Sequence, residues 1–200
     1  LDAEATNNGS FVTYTNPTTG AKYTAPVMNA RQTEEPLENG LVPNFAIATP
    51  VTERLSVGLA VAAPYNFTTK YSEASFARYD ANTSELRSVD LGLTAAYQVN
   101  DWLDVGAGVS AQYAKAKLTS KMPGFAPSFA DGSNSLEGDG IAYGWNVGAQ
   151  VHTGRWDMGL SYRSSIEHEL EGDIATTLTG PLAGNSFASE GGATINTPWF

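Results

Sequence analysis

Apolar and polar side chains alternate along several segments of this sequence, and this period of two constrains the fold more than any other feature. From Leu103 to Tyr113, every odd position is apolar and every even position is small or polar. Because successive side chains of a β-strand point to opposite faces, this segment predicts a strand with one apolar face. The alternation recurs, weakest in the last case, in Leu55–Val61, Val89–Val99, Ile141–Val151, Trp156–Ile166 and Leu41–Val51.

The predicted strands are long, and their second face is built from small residues. Leu103–Tyr113 alone holds eleven residues, whereas strands of globular proteins usually hold about five or six. The second face carries mainly glycine, serine and alanine instead of the charged side chains of a solvated sheet. A soluble β-sandwich remains an alternative, since its strands alternate too. Strand length and small residues favour an antiparallel transmembrane β-barrel with its apolar face toward lipid.

The connections between the predicted strands are of two kinds. One end of the sheet has tight hairpin turns at Thr52–Arg54, Asn100–Asp101 and Thr153–Arg155. Short turns at one end and long loops at the other are the plan of a bacterial outer-membrane barrel, with the long loops outside the cell. The long polar segments are Asn66–Glu85, Ser120–Gly138 and Gly172–Gly191.

Aromatic residues mark the height of the apolar band. Trp102 and Trp156 each follow a tight turn, and Tyr97 shortly precedes one. Amphipathic rings of this kind prefer the membrane interface. Tyr113 lies eleven residues beyond Trp102, which spans roughly 25 Å at about 3.3 Å per residue and a tilt near 45°. This distance matches the apolar band of outer-membrane barrels.

Composition excludes several classes of function. The 200 residues include 11 basic and 21 acidic side chains, for a net charge of -10. A nucleic-acid-binding protein needs a basic face for phosphates, so nucleic acid is not an expected partner. Cysteine is absent, which excludes disulfides, thiolate nucleophiles and cysteine metal sites. Charged residues make up only 16% of the chain, below the roughly 25% of ordinary soluble domains.

The chain divides into two predicted regions. Residues 1–40 have no usable periodicity and are interpreted as an extracellular loop region with a possible short hairpin around Phe11–Tyr23. Residues 41–200 are interpreted as part of an outer-membrane β-barrel. About six strands are present, with the start of a seventh near Ala193–Phe200.

Catalysis is not expected. Only two histidines are present. His168 and Ser164 lie four residues apart on one predicted strand, or roughly 13 Å, which is too far for a nucleophile and its base. His152 lies beside a tight turn without an evident arrangement of carboxylate and serine. Neither histidine has partners at metal-ligand spacing. Both are interpreted as interface or turn residues, and no metal or cofactor is expected.

Six short motifs, in one order from Val42 to Gly172, carry a resemblance to a known family. The two most specific are Gly138-Asp139-Gly140 before Gly144-Trp145-Asn146-Val147-Gly148, and Leu160-Ser161-Tyr162-Arg163-Ser164. In this order, the series resembles the outer-membrane long-chain fatty acid transporters (FadL-type), a family that includes aromatic-hydrocarbon importers. The other motifs are Val42-Pro43-Asn44-Phe45; Gly58-Leu59-Ala60-Val61 leading to Ala63-Pro64-Tyr65-Asn66; Ala96-Tyr97-Gln98-Val99-Asn100-Asp101-Trp102; and Gly106-Ala107-Gly108-Val109 leading to Gln112-Tyr113-Ala114.

The resemblance implies a monomeric 14-stranded barrel with a small N-terminal hatch in its lumen. The chain then lacks the hatch, the first strand and the later strands, so it is expected to be cut at both ends. The resemblance also implies passive uptake of long-chain fatty acids or similar hydrophobic molecules. The molecule is caught by extracellular loops, enters a pocket in the barrel, and leaves sideways into the membrane through a gap beside an inwardly kinked strand.

Mapped onto this chain, the kinked strand is Leu55 to about Tyr71, and its candidate gap residues are Pro64, Tyr65 and Asn66. Proline cannot donate to a strand ladder, so pairing is expected to be interrupted there. The alternative is that Pro64 simply ends the strand at a loop.

The groove that first catches the substrate is expected on Ser120–Gly138, with help from Gly172–Gly191. Apolar side chains on a loop that faces water usually mark a binding surface. The alternative is that they pack against one another. The candidates are Met122, Phe125, Phe129 and Leu136.

Arg163 falls on the lumen face of its predicted strand and is a candidate partner for a substrate carboxylate. Asp157, Glu167 and Glu169 are expected on the same face, so an internal ion pair is the favoured alternative.

Three other functions remain open on sequence alone. A general porin needs an open, charged lumen, whereas the lumen positions here are mostly small. A structural or adhesive surface barrel would place its function in residues 1–40 and the loops. A soluble β-sandwich binding module would need no membrane. Within the favoured function, the substrate stays open between fatty acids and aromatic hydrocarbons.

Overall fold

The computed structural model of the chain describes residues 3–16, 19–124, 126, 130–179 and 186–197. Every regular element within these ranges is a β-strand. The described residues contain no helix long and apolar enough to cross a membrane. The expectation of an all-β chain is therefore confirmed.

Four short strands lie in the N-terminal segment. Strands β2 and β3 form the hairpin that the sequence suggested, with Phe11 opposite Pro26 and Thr15 opposite Lys22. A second pair brings Ala5 opposite Glu34. The bounds are β1 (Ala5–Thr6), β2 (Phe11–Thr15), β3 (Lys22–Pro26) and β4 (Thr33–Glu34).

The remaining strands form one antiparallel sheet. Their order is β13-β12-β10-β9-β8-β6-β5, with β11 paired to β10 and β7 paired to β8. Chain neighbours are therefore sheet neighbours, as in an up-and-down barrel wall. The bounds are β5 (Asn44–Pro50), β6 (Leu55–Ala62), β7 (Asn66–Lys70), β8 (Thr83–Asn100), β9 (Leu103–Met122), β10 (Gly132–Thr153), β11 (Trp156–Arg163), β12 (Ile166–Thr177) and β13 (Ser186–Thr197).

The two faces of this sheet differ as the alternation predicts, and the apolar face is the exposed one. Leu160 is 80% exposed and Tyr143 is 77% exposed. On the opposite face, Ser88, Asp90 and Gln112 are buried. A soluble sandwich would bury its apolar face, whereas lipid is the solvent that suits an exposed one. The buried polar face is called the inner face.

The strands extend further than predicted at the long-loop end, so the loops are shorter than the sequence suggested. Strand β9 runs to Met122 and β10 begins at Gly132, inside the predicted Ser120–Gly138 loop. In this extension the outer face changes from apolar to charged. The outer face carries Lys115 and Lys117, whose Nζ atoms lie 2.6 Å and 3.1 Å from the two carboxylate oxygens of Glu137. The alternation of apolar outer residues ends, although the ladder continues.

The other two predicted long loops are shortened for the same reason. Strand β7 and the start of β8 occupy much of Asn66–Glu85. Strands β12 and β13 reach into Gly172–Gly191. The predicted seventh strand begins at Ser186 instead of near Ala193.

The segment predicted as one strand from Trp156 is interrupted after Arg163. Ladder pairing of β11 with β10 ends at Asn146↔Arg163, and pairing of β12 with β10 begins at Asp139↔Glu171. Six residues of β10 (140–145) therefore face seven residues of the other strand (164–170). One extra residue reverses the alternation beyond it, as at a β-bulge. Residues 164–170 are called the β11–β12 bulge.

The N-terminal hairpin packs on the loop between β7 and β8. Its buried residues Val12, Tyr14 and Ala25 contact Val27 and Tyr79. Arg78, in the same loop, donates from Nη2 to the carbonyl of Met28 at 3.1 Å and from Nε to Asp131 at 3.2 Å. One arginine thus joins the N-terminal segment, this loop and the end of the β9–β10 connection.

Tyr79 lies in the same cluster and predicts a measurable pH dependence. Burial, helped by Asp131, which accepts its O–H at 2.9 Å, raises the pKa of Tyr79 to about 12 against the opposing bond from Arg78. The folded pKa exceeds the usual value of 10.0, so this stabilisation is complete below pH 10 and is lost as pH rises toward 12. We expect Tyr79→Phe to remove the last step of a tyrosinate absorbance titration. Tyr23→Phe in the exposed hairpin is the control, and persistence of that step in Tyr79→Phe would contradict the assignment.

The orientation of the sheet gives a second prediction. Leu160→Lys places a charge near the middle of the outer apolar face and should cost about 2–4 kcal/mol of folding free energy in lipid vesicles. Ser161→Lys, one residue on and facing inward, should cost less. Urea unfolding in vesicles, followed by tryptophan fluorescence, measures both. Equal losses would show that the two faces are assigned incorrectly.

Candidate functional site

The strand that carries Pro64 is interrupted by one extra residue. Pairing of β6 with β8 ends at Ala62↔Asp90, and pairing of β7 with β8 begins at Asn66↔Arg87. Three residues (63–65) therefore face two residues of β8 (88–89). The strand resumes as β7, so the alternative that proline ends the strand is wrong. Residues 63–65 are called the β6–β7 bulge.

A serine side chain replaces part of the lost ladder at this bulge. The backbone N–H of Tyr65 donates to the hydroxyl of Ser88 at 3.1 Å, and the N–H of Ser88 donates to the carbonyl of Tyr65 at 2.7 Å. Ala63 is buried. The backbone N–H and carbonyl of Tyr65 therefore have hydrogen-bond partners in β8. The other edge of the bulge faces β5.

Pairing on the β5 side is also interrupted at this height. Strand β5 reaches only Asn44↔Ala62. Beyond it, Glu38 N–H donates to the Thr68 carbonyl at 3.0 Å and Lys70 N–H donates to the Pro36 carbonyl at 2.7 Å. Between these two stretches, the amide of Asn66 donates to the carbonyl of Leu41. The structure thus brings Pro64, Tyr65 and Asn66 together at a discontinuity of the wall.

Close packing narrows this discontinuity at one point. A side chain at Gly40 would lie 3.0 Å from the carbonyl oxygen of Asn66. Leu41 and Val42 are exposed beside it, and Arg87 of β8 faces Asn66 in the ladder. The discontinuity is therefore bordered by backbone, by apolar side chains and by the cation of Arg87.

The two predicted groove residues that the structure describes, Met122 and Leu136, lie on strands instead of on a loop. Met122 ends β9 and Leu136 belongs to β10. Phe125 and Phe129 lie outside the described residues. Leu136 faces Leu118 of β9 and Ile174 of β12 in the ladder, so the three share one row of the inner face. Sequence reasoning missed Leu118 and Ile174, because they lie on the inner face, which carries polar residues in the part of the sheet nearer the tight turns.

This row forms one wall of a cavity of about 180 Å³. Leu170 completes its apolar lining, and Gly138 and Gly172 provide close backbone. Small-molecule pockets usually hold at least about 300 Å³, so the cavity suits one end of an apolar molecule. The row and cavity together are called the inner apolar patch, with Leu118, Leu136, Leu170 and Ile174 as its members.

Arg163 faces inward as predicted, but its partner comes from another strand. Its Nη2 donates to Asp90 of β8 and to the hydroxyl of Ser110 at 3.3 Å. The predicted partners Glu167 and Glu169 are exposed on the outer face. The favoured internal ion pair is therefore present, but the expected face of Glu167 and Glu169 was wrong, because the β11–β12 bulge reverses the alternation between Arg163 and these residues.

A row of polar side chains continues from this ion pair along the inner face. Gln112 donates from Nε2 to Asp90 at 3.3 Å, and its Oε1 lies 2.8 Å from Nε2 of His168. His168 is 1% exposed, so its interpretation as an interface or turn residue was wrong. The bulge turned it inward. Arg163, Asp90, Gln112 and His168 are called the polar row.

The other histidine also has partners that the sequence did not reveal. Nδ1 of His152 lies 2.7 Å from Asp157, and Nε2 lies 3.0 Å from Asp104. The carboxylate of Asp104 was not evident from sequence, since it comes from the neighbouring strand. Both ring nitrogens are engaged, which leaves neither to act as a base toward a nucleophile. Within the described ranges, no group of three or more histidine, aspartate or glutamate side chains is suited to hold a metal ion.

The polar row gives a stability prediction. Asp90 has a side chain that is only 7% exposed, so Arg163→Gln leaves a buried carboxylate without its cation. We expect a loss of about 1–3 kcal/mol of folding free energy. Adding Asp90→Asn should recover part of it, because the amide needs no counter-charge. Urea unfolding measures each variant, with Arg155→Gln in an exposed turn as control. Equal stability of Arg163→Gln and the native chain would contradict the pairing.

Comparison with known proteins identifies the family. The family described as Outer membrane protein transport protein (OMPP1/FadL/TodX) matches residues 2–200. Curated relatives include a Long-chain fatty acid transport protein of Escherichia coli O6:H1, 27% identical over 70% of this chain. Another protein of that name, from Salmonella typhi, is 24% identical over 90% of the chain. The Outer membrane protein P1 of Haemophilus influenzae is 23% identical over 89%.

The chain spans less than half the length of these relatives, covering 36%, 46% and 45% of them in the same order. Among solved structures, a Pseudomonas aeruginosa FadL homologue superposes with a TM-score of 0.70. That likeness covers 99% of this chain and 53% of the other at 18% identity, which supports the fold. The family has the outer-membrane β-barrel fold that the exposed apolar face requires. This chain belongs to the OMPP1/FadL/TodX family of outer membrane transport proteins.

Proposed function

We propose that this chain forms part of a passive channel through which hydrophobic molecules cross the outer membrane and leave sideways at the β6–β7 bulge. The observation that carries the proposal is the interrupted ladder on both sides of Pro64–Asn66. A continuous ladder separates lumen from lipid, so an apolar molecule needs such an interruption to pass between them. It gains more free energy by entering lipid than by crossing a watery pore.

The inner apolar patch supports an entry route from the long-loop end. Met122 lies at the end of β9, beyond the row of Leu118 and Leu136. In outer-membrane barrels the long loops face outside the cell. A hydrophobic molecule that enters there meets apolar side chains on the inner face before it meets the polar row. Phe125 and Phe129 stay candidates for the first contact.

The site favours recognition by apolar contact over recognition of charge. The guanidinium of Arg163 already contacts Asp90 and Ser110, so we assign it a positioning role and not the binding of a substrate carboxylate. Long-chain fatty acids and aromatic hydrocarbons both remain suitable substrates. Relatives are named as long-chain fatty acid transport proteins, which supports a transport role without catalysis for this chain.

A general porin is less well supported. Such a channel needs free charges in an open lumen, whereas Arg163 and Asp90 are paired with each other and lie along the wall. The inner face beside them carries small residues such as Ser110 and Ala142.

Deletion of Pro64 tests the proposed route directly. It removes the extra residue, so the β6 and β7 registers with β8 become continuous while the residues of β6 and β7 keep their faces. We expect uptake of a labelled long-chain fatty acid to fall by about tenfold or more, which corresponds to ~1.4 kcal/mol or more on the barrier. The full chain is produced in cells that lack their own transporter.

Pro64→Ala is the matched control, because it keeps the extra residue and should keep most of the uptake. The heat-dependent electrophoretic mobility of the barrel verifies folding of each variant. Undiminished uptake by a folded Pro64 deletion would refute release at this bulge.

A further inference from the structure

The β11–β12 bulge repeats the construction of the β6–β7 bulge. Each adds one residue to a strand that rises from a tight turn. Pro64 and Ser165 each lie nine residues beyond the first residue of their strand, Leu55 and Trp156. The two interruptions therefore lie at a similar height in the wall, and three uninterrupted strands, β8, β9 and β10, separate them.

At this second bulge the wall is closed by packing where the ladder is interrupted. A side chain at Gly140 would collide with the carbonyl oxygen of Glu169, and one at Gly144 would lie 2.9 Å from the side chain of Ile166. At Gly140, where the obstacle is backbone, only glycine allows so close an approach. The ladder on either side ends at Asn146↔Arg163 and Asp139↔Glu171. Separation of the strands between these pairs therefore leaves the registered ladder pairs of β10 with β11 and β12 intact.

The second bulge has apolar side chains of the inner apolar patch on one side and apolar side chains of β10 on the other. On the inner side, Leu170 belongs both to the bulge and to the inner apolar patch. On the outer side, Ile141 and Tyr143 of β10 flank the same stretch and are exposed toward lipid. A molecule seated against Leu170 is thus one strand's thickness from the membrane.

The rim of the second bulge differs from that of the first in charge. Glu167 and Glu169 are exposed on its outer face, whereas the rim of the β6–β7 bulge carries Leu41 and Val42 and the cation of Arg87, which faces Asn66. Two carboxylates near a low-dielectric boundary repel a third strongly. The second rim therefore disfavours fatty acid anions and admits apolar molecules without charge.

We propose that the β11–β12 bulge is a second lateral exit, used by uncharged apolar molecules that dock on the inner apolar patch. The inference rests on the proposed transport function and assigns a separate site and substrate class to it. Opening occurs between Gly140–Gly144 of β10 and Ile166–Leu170 of β12. The polar row below, anchored at Asp90, holds the lower end of the bulge in place during this movement.

The first test is deletion of Ser165, which makes the registers of β11 and β12 with β10 continuous and leaves all other side chains on their faces. Ser165→Ala, which keeps the extra residue, is the matched control. Uptake of a labelled n-alkane and of a labelled long-chain fatty acid is measured for the full chain in cells without their own transporter. Electrophoretic mobility verifies that each variant folds.

We expect the Ser165 deletion to lower alkane uptake several-fold and to leave fatty acid uptake nearly unchanged. The Pro64 deletion should lower fatty acid uptake more than alkane uptake, and the double deletion should abolish the uptake of both. The second exit is overturned if the folded Ser165 deletion takes up alkane as fast as the chain that keeps Ser165, both with Pro64 present and with Pro64 deleted. Absence of any uptake by the native chain instead overturns the proposed function itself, so the two failures are distinguishable.

A second variant tests the assigned substrate class. In the Pro64 deletion, Glu167→Gln combined with Glu169→Gln should raise fatty acid uptake several-fold and leave alkane uptake unchanged. Both residues lie on the outer face, so the inner patch is not altered. If fatty acid uptake does not rise, the selection of uncharged molecules by this rim is wrong.

Discussion

The hydrogen-bond ladder of the sheet is the constraint on which the rest of this structure depends. In lipid no water satisfies a backbone group, so each interruption of the ladder needs a local replacement. Both bulges use a serine hydroxyl for this purpose. Ser88 accepts from the N–H of Tyr65 at 3.1 Å, and Ser164 accepts from the N–H of Trp145 at 3.0 Å. At both bulges, therefore, a side chain completes the wall where the ladder is interrupted.

The strand segments that cross the apolar band of the membrane could be predicted from the sequence. Alternation and tight turns identified the strands between Leu55 and Arg163, because each signal depends on neighbours in sequence. The bulge at Ser164–Ser165 was not predictable, since one extra residue leaves the local composition unchanged and reverses only the facing of the residues beyond it. For this reason Glu167 was assigned to the wrong face and His168 to the wrong environment.

The candidate site was less predictable because its contacts join distant strands. Arg163 and Asp90 are 73 positions apart, and His168 and Gln112 are 56 apart. These long side chains lie flat along the wall, and the intervening β10 presents the small Ala142 at this height. Sequence indicated that pairing is interrupted at Pro64–Asn66, because proline cannot donate to a strand ladder, and the register shows that interruption. It could not indicate Leu118 or Ile174, because only the register of the strands places both of them opposite Leu136.

The reversal of polarity along the strands has a consequence for how the barrel sits in its membrane. Val89, Tyr113 and Ile141 form the last apolar row of the outer face, and the adjacent row is Arg87, Lys115 and Asp139. On these three strands, a step of two residues thus separates side chains that require hydrocarbon from side chains that require water. The barrel has a fixed depth of immersion. A thicker or thinner bilayer must deform around it, since vertical sliding would bury a row of charges.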